Sequence, residues 1–320
     1  MPDNLPLFDD PEPEPKTKLQ RTLGALAAQR LFLGTSSWKY PGWLGQIYTP
    51  ERYFVRGRFS RRRFEQECLA EYAETFPVVC GDFSFYQFPE REFWQKLFSS
   101  APRNLRFAFK TPEDITVRRF PFHARYGPRA GADNPNFLNS DLFAAEFLGL
   151  LAPYRDQIAV IIIEFGTFAT GVFPEPGEFA VTLERFLARL PGEFRYAIEI
   201  RNTRLLDPAY LAVLRQFGVA HVLNSWTRMP PLSRQLELPD VFTADFSVAR
   251  ALLRTGRPYE QAVRLFSPYR SIQEPNAEVR SALRNLLLRA KKRHEETYIF
   301  VNNRLEGNAP DTIAAITDDL

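Results

Sequence analysis

The chain has 320 residues, with 41 Lys plus Arg against 38 Asp plus Glu, 45% hydrophobic and 14% aromatic residues, enough apolar mass for one large core. Its longest aliphatic run, Ile158 to Ile163, is far short of a bilayer span, and Met1 to Gln20 lacks the charged start and apolar stretch of a secretory leader, so a cytoplasmic protein is expected, not a membrane or secreted one. Two cysteines, Cys68 and Cys80, exclude a disulfide framework and a four-cysteine zinc site.

Residues 1–28 read as a disordered, acidic, Pro-rich tail. Its first 20 residues hold five acids against two lysines, a net charge of −3, which leaves +6 on the remainder. Arginine carries most of that positive charge, because the whole chain has only seven lysines. A first strand is predicted at 31–38, followed by six arginines within twelve residues: Arg52, Arg56, Arg58, Arg61, Arg62 and Arg63. Such a run reads first as a solvated loop leading into a helix, with nucleic acid or a phosphorylated ligand as the alternative partner.

β-rich runs recur at 78–85, 106–112, 158–166, 195–201, 220–226, 246–253 and 297–303, the seventh competing with AVRLF at 262–266. Helical patterns lie between them at 62–76, 141–154, 178–190, 207–217 and 277–293. Eight alternating units in about 290 residues predict parallel strands with right-handed crossovers, closed into an α/β (β/α)8 TIM-like barrel over residues 29–320. No GxGxxG or GxxxxGK follows a strand, so the nucleotide-binding open sheets lose their phosphate loops.

Barrel geometry places chemistry at the C-terminal ends of the strands. Side chains alternate along a strand, so with bulky apolar residues facing the helices, Glu199 and Arg201 point inward, as do Lys110, Glu164, Asp82 and Ser84. Asp82, Lys110, Glu164, Glu199 and Arg201 should converge near the barrel axis, where a low dielectric perturbs pKa values and suits proton transfer. The bland alternative is a satisfied ion network that merely closes the top layer, although apolar packing fills a layer at lower cost. Ser36, Trp38 and Tyr40 after strand one, Tyr86 after strand two, and Asn224 and Trp226 at strand six either wall a sugar or base site or pack the loops. After strand eight, Asn302 and Asn303 precede a helix start at Gly307, Asn308 and Pro310 that could hold a phosphate, with Arg250, Arg254 and Arg257 nearby.

The three histidines are scattered and without HExxH spacing, so no metal site is expected, while carboxylate-bound Mg2+ stays compatible with the composition. No GxSxG elbow appears, and neither cysteine has an evident histidine partner.

Taken together, GTSSWKYPGWLGQIY (34–48), DFSFYQFP (82–89), FAFKTPEDIT (107–116), IEFGTF (163–168), AIEIRN (197–202) and VNNRLEGNA (301–309) resemble the YecE-like family, catalogued as domain of unknown function 72. The resemblance covers most of residues 31–317 and implies a barrel with a polar mouth and a largely unassigned activity. Lys110, Glu199, Arg201, Arg250 and Asn303 match the family pattern. The chain departs from it at Cys80, Asp82 and Ser84, which replace Glu-x-Asn-x-Thr; near Glu164 and Gly166, where the family has Gln and Pro; and at Asn202 and Leu252, which stand where histidines are common.

Three functions follow. In the first, an isomerase, lyase or hydrolase acts on a small anionic or phosphorylated polyol held by Arg201, Arg250 and the strand-eight helix start, with Glu199 or Glu164 as base and Lys110 as electrostatic partner. The second is a barrel that binds such a ligand without turnover. The third comes from Asn4 to Phe8, NLPLF, which resembles the QLxLF-type peptide that docks on the replication sliding clamp, with Leu5, Leu7 and Phe8 as anchors and a role near DNA.

Overall fold

A computed structural model describes residues 14–169 and 171–320; the NLPLF peptide lies outside the described residues. Eight parallel strands close a barrel: β1 (Leu31–Thr35), β2 (Val78–Gly81), β3 (Arg106–Lys110), β4 (Ile158–Phe165), β5 (Tyr196–Ile200), β6 (Ala220–Ser225), β7 (Phe246–Ala251) and β8 (Glu296–Val301). Each pairs with its sequence neighbours, and β1 closes on both β2 and β8. The expected TIM-like fold is therefore present. The competing run at 262–266 belongs to a helix, Tyr259–Phe266, which buries Ala262 and Phe266 on one face.

Closure is tightest at Gly34. A Cβ there would lie 1.8 Å from the carbonyl oxygen of Val78, so only glycine lets β1 approach β2. Most strands end one to three residues before the predicted limits, because their polar ends turn into loops. In particular, residues Asp82–Phe85 form a 3-10 turn rather than the end of β2.

The disorder expected through residue 28 is corrected for residues 15–28. Pro15–Ala28 is a helix with Pro in its first turn, and Leu19, Leu23 and Leu26 are buried against the barrel. The averaged acidity and proline content of the first 20 residues conceal this stripe at i, i+4 and i+7, which is what a docked amphipathic helix requires. Lys16 adds a 3.4 Å ion pair to the buried Glu71, whose carboxylate also accepts from the hydroxyls of Thr49 (2.6 Å) and Tyr53 (2.6 Å).

Side chains inside the barrel follow the expected parity. Phe32, Val78, Ala108, Ile162, Ala197, Val222, Val248 and Phe300 form the apolar inner cluster, with the Phe32 ring stacked on Tyr298 at 5.2 Å. At the N-terminal end Glu296 gathers Arg30 (2.7 Å), Arg106 (3.3 Å) and Arg195 (2.7 Å) and closes the floor. An apolar plug thus lies between two ionic layers. Among the described residues no helix is long and apolar enough to cross a membrane.

Candidate functional site

The register sets Glu164 of β4 directly beside Glu199 of β5, and Asn224 of β6 beside Arg250 of β7. Two carboxylates on one inner face repel each other unless cations lie between them. Two arginines do so. Arg201 donates to Glu164 (2.7 Å) and Glu199 (3.1 Å), while Arg250 donates to Glu164 (2.9 Å), to Glu199, and through Nη2 to Asp82 (3.0 Å). Lys110 completes the layer, with Nζ 2.8 Å from Glu164 and 4.0 Å from Asp82, over the Phe85 ring at 3.7 Å. Arg201 stacks on Trp226 at 3.7 Å.

The three cations and three carboxylates cancel formally, and Glu164, Glu199 and Arg250 are each at most 2% exposed. Buried charges cost several kcal/mol each unless fully paired, so this neutrality makes the layer tolerable. Burial alone would push the Glu164 carboxyl up, but Arg201, Lys110 and Arg250 more than reverse it and hold it at about 2. At neutral pH Glu164 is a saturated carboxylate, far from the value a general base needs. Burial works against the Arg250 charge, yet Glu199 and its other anionic neighbours keep it firmly protonated.

Over this layer opens a cleft of about 950 Å3. Of the six charged residues only Asp82, whose side chain is 32% exposed, lines it; beside it lie Ser36, Trp38, Tyr40, Cys80 and Tyr86. The Ser36 hydroxyl is buried and has no hydrogen-bond partner among the described residues, and Ser36 is one of the residues that line the cleft. Burial pushes the Tyr40 hydroxyl up to about 12, so it is a neutral group at physiological pH. Burial likewise raises the Cys80 thiol, which stays protonated and unreactive.

The cleft also takes Lys39, Arg61, Arg62, Lys96 and Arg304, against the carboxylates of Glu65 and Asp82. Arg61 is tied to Glu65 at 2.8 Å. Lys39, Arg62, Lys96 and Arg304 have no carboxylate within 4.0 Å among the described residues, which leaves the walls positive. The arginine run divides in the same way. Arg52, Arg61 and Arg63 hold Glu74, Glu65 and Glu67, whereas Arg56, Arg58 and Arg62 are uncommitted among the described residues. Two smaller depressions, of about 340 and 480 Å3, share no residue with this cleft.

The sequence-derived set thus splits three ways. Ser36, Trp38, Tyr40, Tyr86 and Asp82 line the cleft; Lys110, Glu164, Glu199, Arg201 and Arg250 form the ionic floor, which reaches the cleft lining through Asp82. Trp226 serves Arg201, and Asn224 donates from Nδ2 to the Ile200 and Val222 carbonyls (both 3.2 Å). Asn302 caps the backbone N–H of Arg304 at 3.0 Å and Asn303 that of Ala309 at 2.7 Å.

The start of the strand-eight helix, where a phosphate was expected, is capped by the protein's own side chains. Asn308 caps the Ala309–Thr317 helix through the Asp311 N–H (2.8 Å), and Gln46 bridges Asn308 and Asp311, so its N-terminal donors face protein. Arg257 holds Glu274 at 2.6 Å, and Arg254 the carbonyl of Pro275 at 2.9 Å. No group of three or more His, Cys, Asp or Glu among the described residues is placed to hold a metal ion, and the three mouth carboxylates already hold cations.

Lys39, Lys96, Arg304, Phe93 and Tyr259 were not predicted as cleft residues. Lys39 sits within the predicted Ser36-to-Tyr40 cluster, and Arg304 directly follows Asn303, so adjacency was a usable signal for both. Phe93 and Lys96 stand on a helix flank whose neighbour is set only by the tertiary fold.

Among solved structures the chain is similar to a DUF72 family protein of Thermotoga maritima (TM-score 0.56, 19% identity, covering 90% of this chain and 98% of that one) and to a DUF72 family protein of Enterococcus faecalis V583 (TM-score 0.59, 17% identity, 90% and 94%). At that identity the likeness is one of fold. Among curated proteins it is 24% identical over 173 residues to the UPF0759 protein YecE of Escherichia coli K12 and, equally, of Escherichia coli O157:H7. That match takes in 54% of this chain and spans about half (48%) of the length of those relatives. The family model described as "Protein of unknown function DUF72" matches residues 32–320, and the chain belongs to that family.

Proposed function

We propose that the barrel mouth binds a small anionic ligand, phosphorylated or acidic, which enters the cleft over the ionic floor. The observation that carries this reading is the imbalance of the cleft: uncommitted cations at Lys39 and Arg304 beside Trp38, Tyr40 and the orphan Ser36 hydroxyl, above a floor whose own charges already cancel. A neutral floor lends no net attraction, so recognition of charge falls to the walls, while aromatic faces and a hydroxyl suit a ring or polyol.

The floor positions and Asp82 is the reactive-group candidate. Asp82 is the carboxylate that both touches Arg250 and lines the cleft, whereas Glu164, held at about 2, is fixed as structure. If turnover occurs, Asp82 takes a proton from the bound ligand and becomes neutral, and the charge of Lys110, 4.0 Å away, then balances the negative charge left on the ligand.

The test is a thermal-shift comparison of matched pairs at low salt: sugar phosphates and sugar acids against the corresponding uncharged sugars. A ligand at 100 times its dissociation constant adds about 2.7 kcal/mol of stability. The reading predicts stabilisation by charged members alone, lost in Lys39→Gln/Arg304→Gln. Equal shifts within pairs, or shifts that survive the double substitution, refute it.

A further inference from the structure

The cleft is longer than a monophosphorylated sugar requires. Beyond the mouth it continues between two helices, Arg61–Thr75 and Arg91–Ser100, with lining residues from Arg61 to Leu69 on the first and from Phe93 to Ser100 on the second. Seven or eight residue-to-residue steps of 1.5 Å each span about 10–12 Å along these helices, which flank the outer limb. A volume of about 950 Å3 stands at the upper end of what ligand pockets need, roughly 300–1,000 Å3.

Cations and rings both line it. The mouth has Lys39 on the Trp38 ring (5.7 Å) and Arg304 on Tyr259 (4.5 Å); the outer limb has Arg62 and Lys96 with Phe93, which is 41% exposed. Leu69 and Leu97 lie beneath, and Gln66 and Ser100 add neutral hydrogen-bonding groups. A positive groove with interspersed aromatic faces is the pattern that tracks a phosphodiester backbone and stacks its bases. The hairpin Phe54–Val55/Arg58–Phe59 precedes the first of these helices in the chain, and its Arg56 and Arg58 are uncommitted among the described residues.

Resting on the anion-binding reading of this cleft, we infer that its ligand is a phosphodiester-linked nucleotide chain at least two residues long. One nucleotide occupies the mouth and the next lies along the outer limb, with a phosphate between Arg62 and Lys96. A free dinucleotide and the end of a single strand share this chemistry.

The experiment measures equilibrium binding of inorganic phosphate, thymidine monophosphate, a thymidine dinucleotide and a twelve-residue oligothymidylate to the full chain. The proteins compared are wild type, Arg62→Gln/Lys96→Gln, and Arg63→Gln, whose side chain is tied to Glu67 outside the cleft. The dinucleotide should bind at least about tenfold tighter than the mononucleotide in wild type and Arg63→Gln. That advantage should vanish in Arg62→Gln/Lys96→Gln, with the melting temperature held. An oligonucleotide no tighter than the dinucleotide identifies a dinucleotide-sized ligand; a further gain with a steeper salt dependence identifies a strand. Either supports the inference. Equal affinity for mono- and dinucleotide, or an advantage that survives the double substitution, overturns it while leaving anion binding at the mouth intact. No binding of any of these probes, or of the charged sugars, removes both.

Discussion

Replacing Arg250 by methionine keeps the length and apolar stem of the side chain and deletes one charge. Its guanidinium, 1% exposed, touches three carboxylates: Glu164 at 2.9 Å, Asp82 at 3.0 Å, and Glu199. Removing it leaves two cations, Lys110 and Arg201, to serve three buried or half-buried acids. Breaking a buried pair in this way costs about 3–5 kcal/mol. With an unfolding entropy of about 2.1 cal/mol/K per residue, a folded unit of about 300 residues loses roughly 5–8 °C of melting temperature. The effect should carry an electrostatic signature. Glu199→Gln in the Arg250→Met background restores the balance of two cations and two acids and recovers part of the loss, although the same change in wild type is destabilising. Lowering the pH from 7 to 5 should also narrow the gap, because an uncompensated carboxylate can then take a proton. Calorimetry of the four proteins checks both points. A loss under 1 kcal/mol, or additive effects of the two substitutions, would refute the neutral-layer reasoning.

Glu164 and Glu296 are each held at about 2 against an unfolded value near 4.3. Because these values are lowered, their stabilisation is complete above the unfolded value and is lost as pH falls through 4 toward 2; for Glu296, at about 1.4 kcal/mol per unit, it comes to about 3 kcal/mol at neutral pH. Glu296→Gln should therefore melt lower at pH 7 and show a flatter acid limb between pH 5 and 2, and a parallel limb would count against it. Burial drives the His221 ring down to about 3 from 6.5, with Nδ1 3.0 Å from the Tyr210 hydroxyl, so its NMR signals should stay those of neutral imidazole from pH 7 to 4; a midpoint near 6.5 would contradict this. Leu23→Ala, at a side chain with no exposure, should cost about 2–5 kcal/mol, whereas a disordered segment would give no change in denaturant midpoint. Gly34→Ala should prevent folding, since its Cβ would meet the Val78 carbonyl oxygen; a soluble, cooperatively melting variant would show that β1 and β2 can separate.

The barrel was legible because its signals are local and periodic. Eight apolar runs at regular spacing, and parity within RYAIEIR and IAVIIIEFG, were enough to set Glu199, Arg201 and Glu164 on one inner face. Roles were less legible than positions. Arg250, read as a ligand contact, is the hub of the floor, because its partners come from the turn after β2, from β4 and from β5 and are brought to it only by closure. Asn303 looks like a mouth residue but caps Ala309, since a strand end and the following turn share their polar residues with backbone needs. The outer limb was invisible: Phe93 and Lys96 line one cleft with Arg62 and Gln66 of another helix, and no spacing in the chain encodes which helix flanks face each other. The Pro15–Ala28 helix was hidden by composition, which averages over a stripe of three leucines.

The measurement closest to the central claim is a calorimetric titration of one ligand pair, thymidine monophosphate and thymidine, at 20 and 200 mM salt, with wild type and Lys39→Gln/Arg304→Gln. The account predicts that the phosphorylated member binds, that its affinity falls as salt screens the cleft walls, and that the double variant loses it while keeping its melting temperature. Equal affinity for thymidine, indifference to salt, or undiminished binding in the variant would contradict the account.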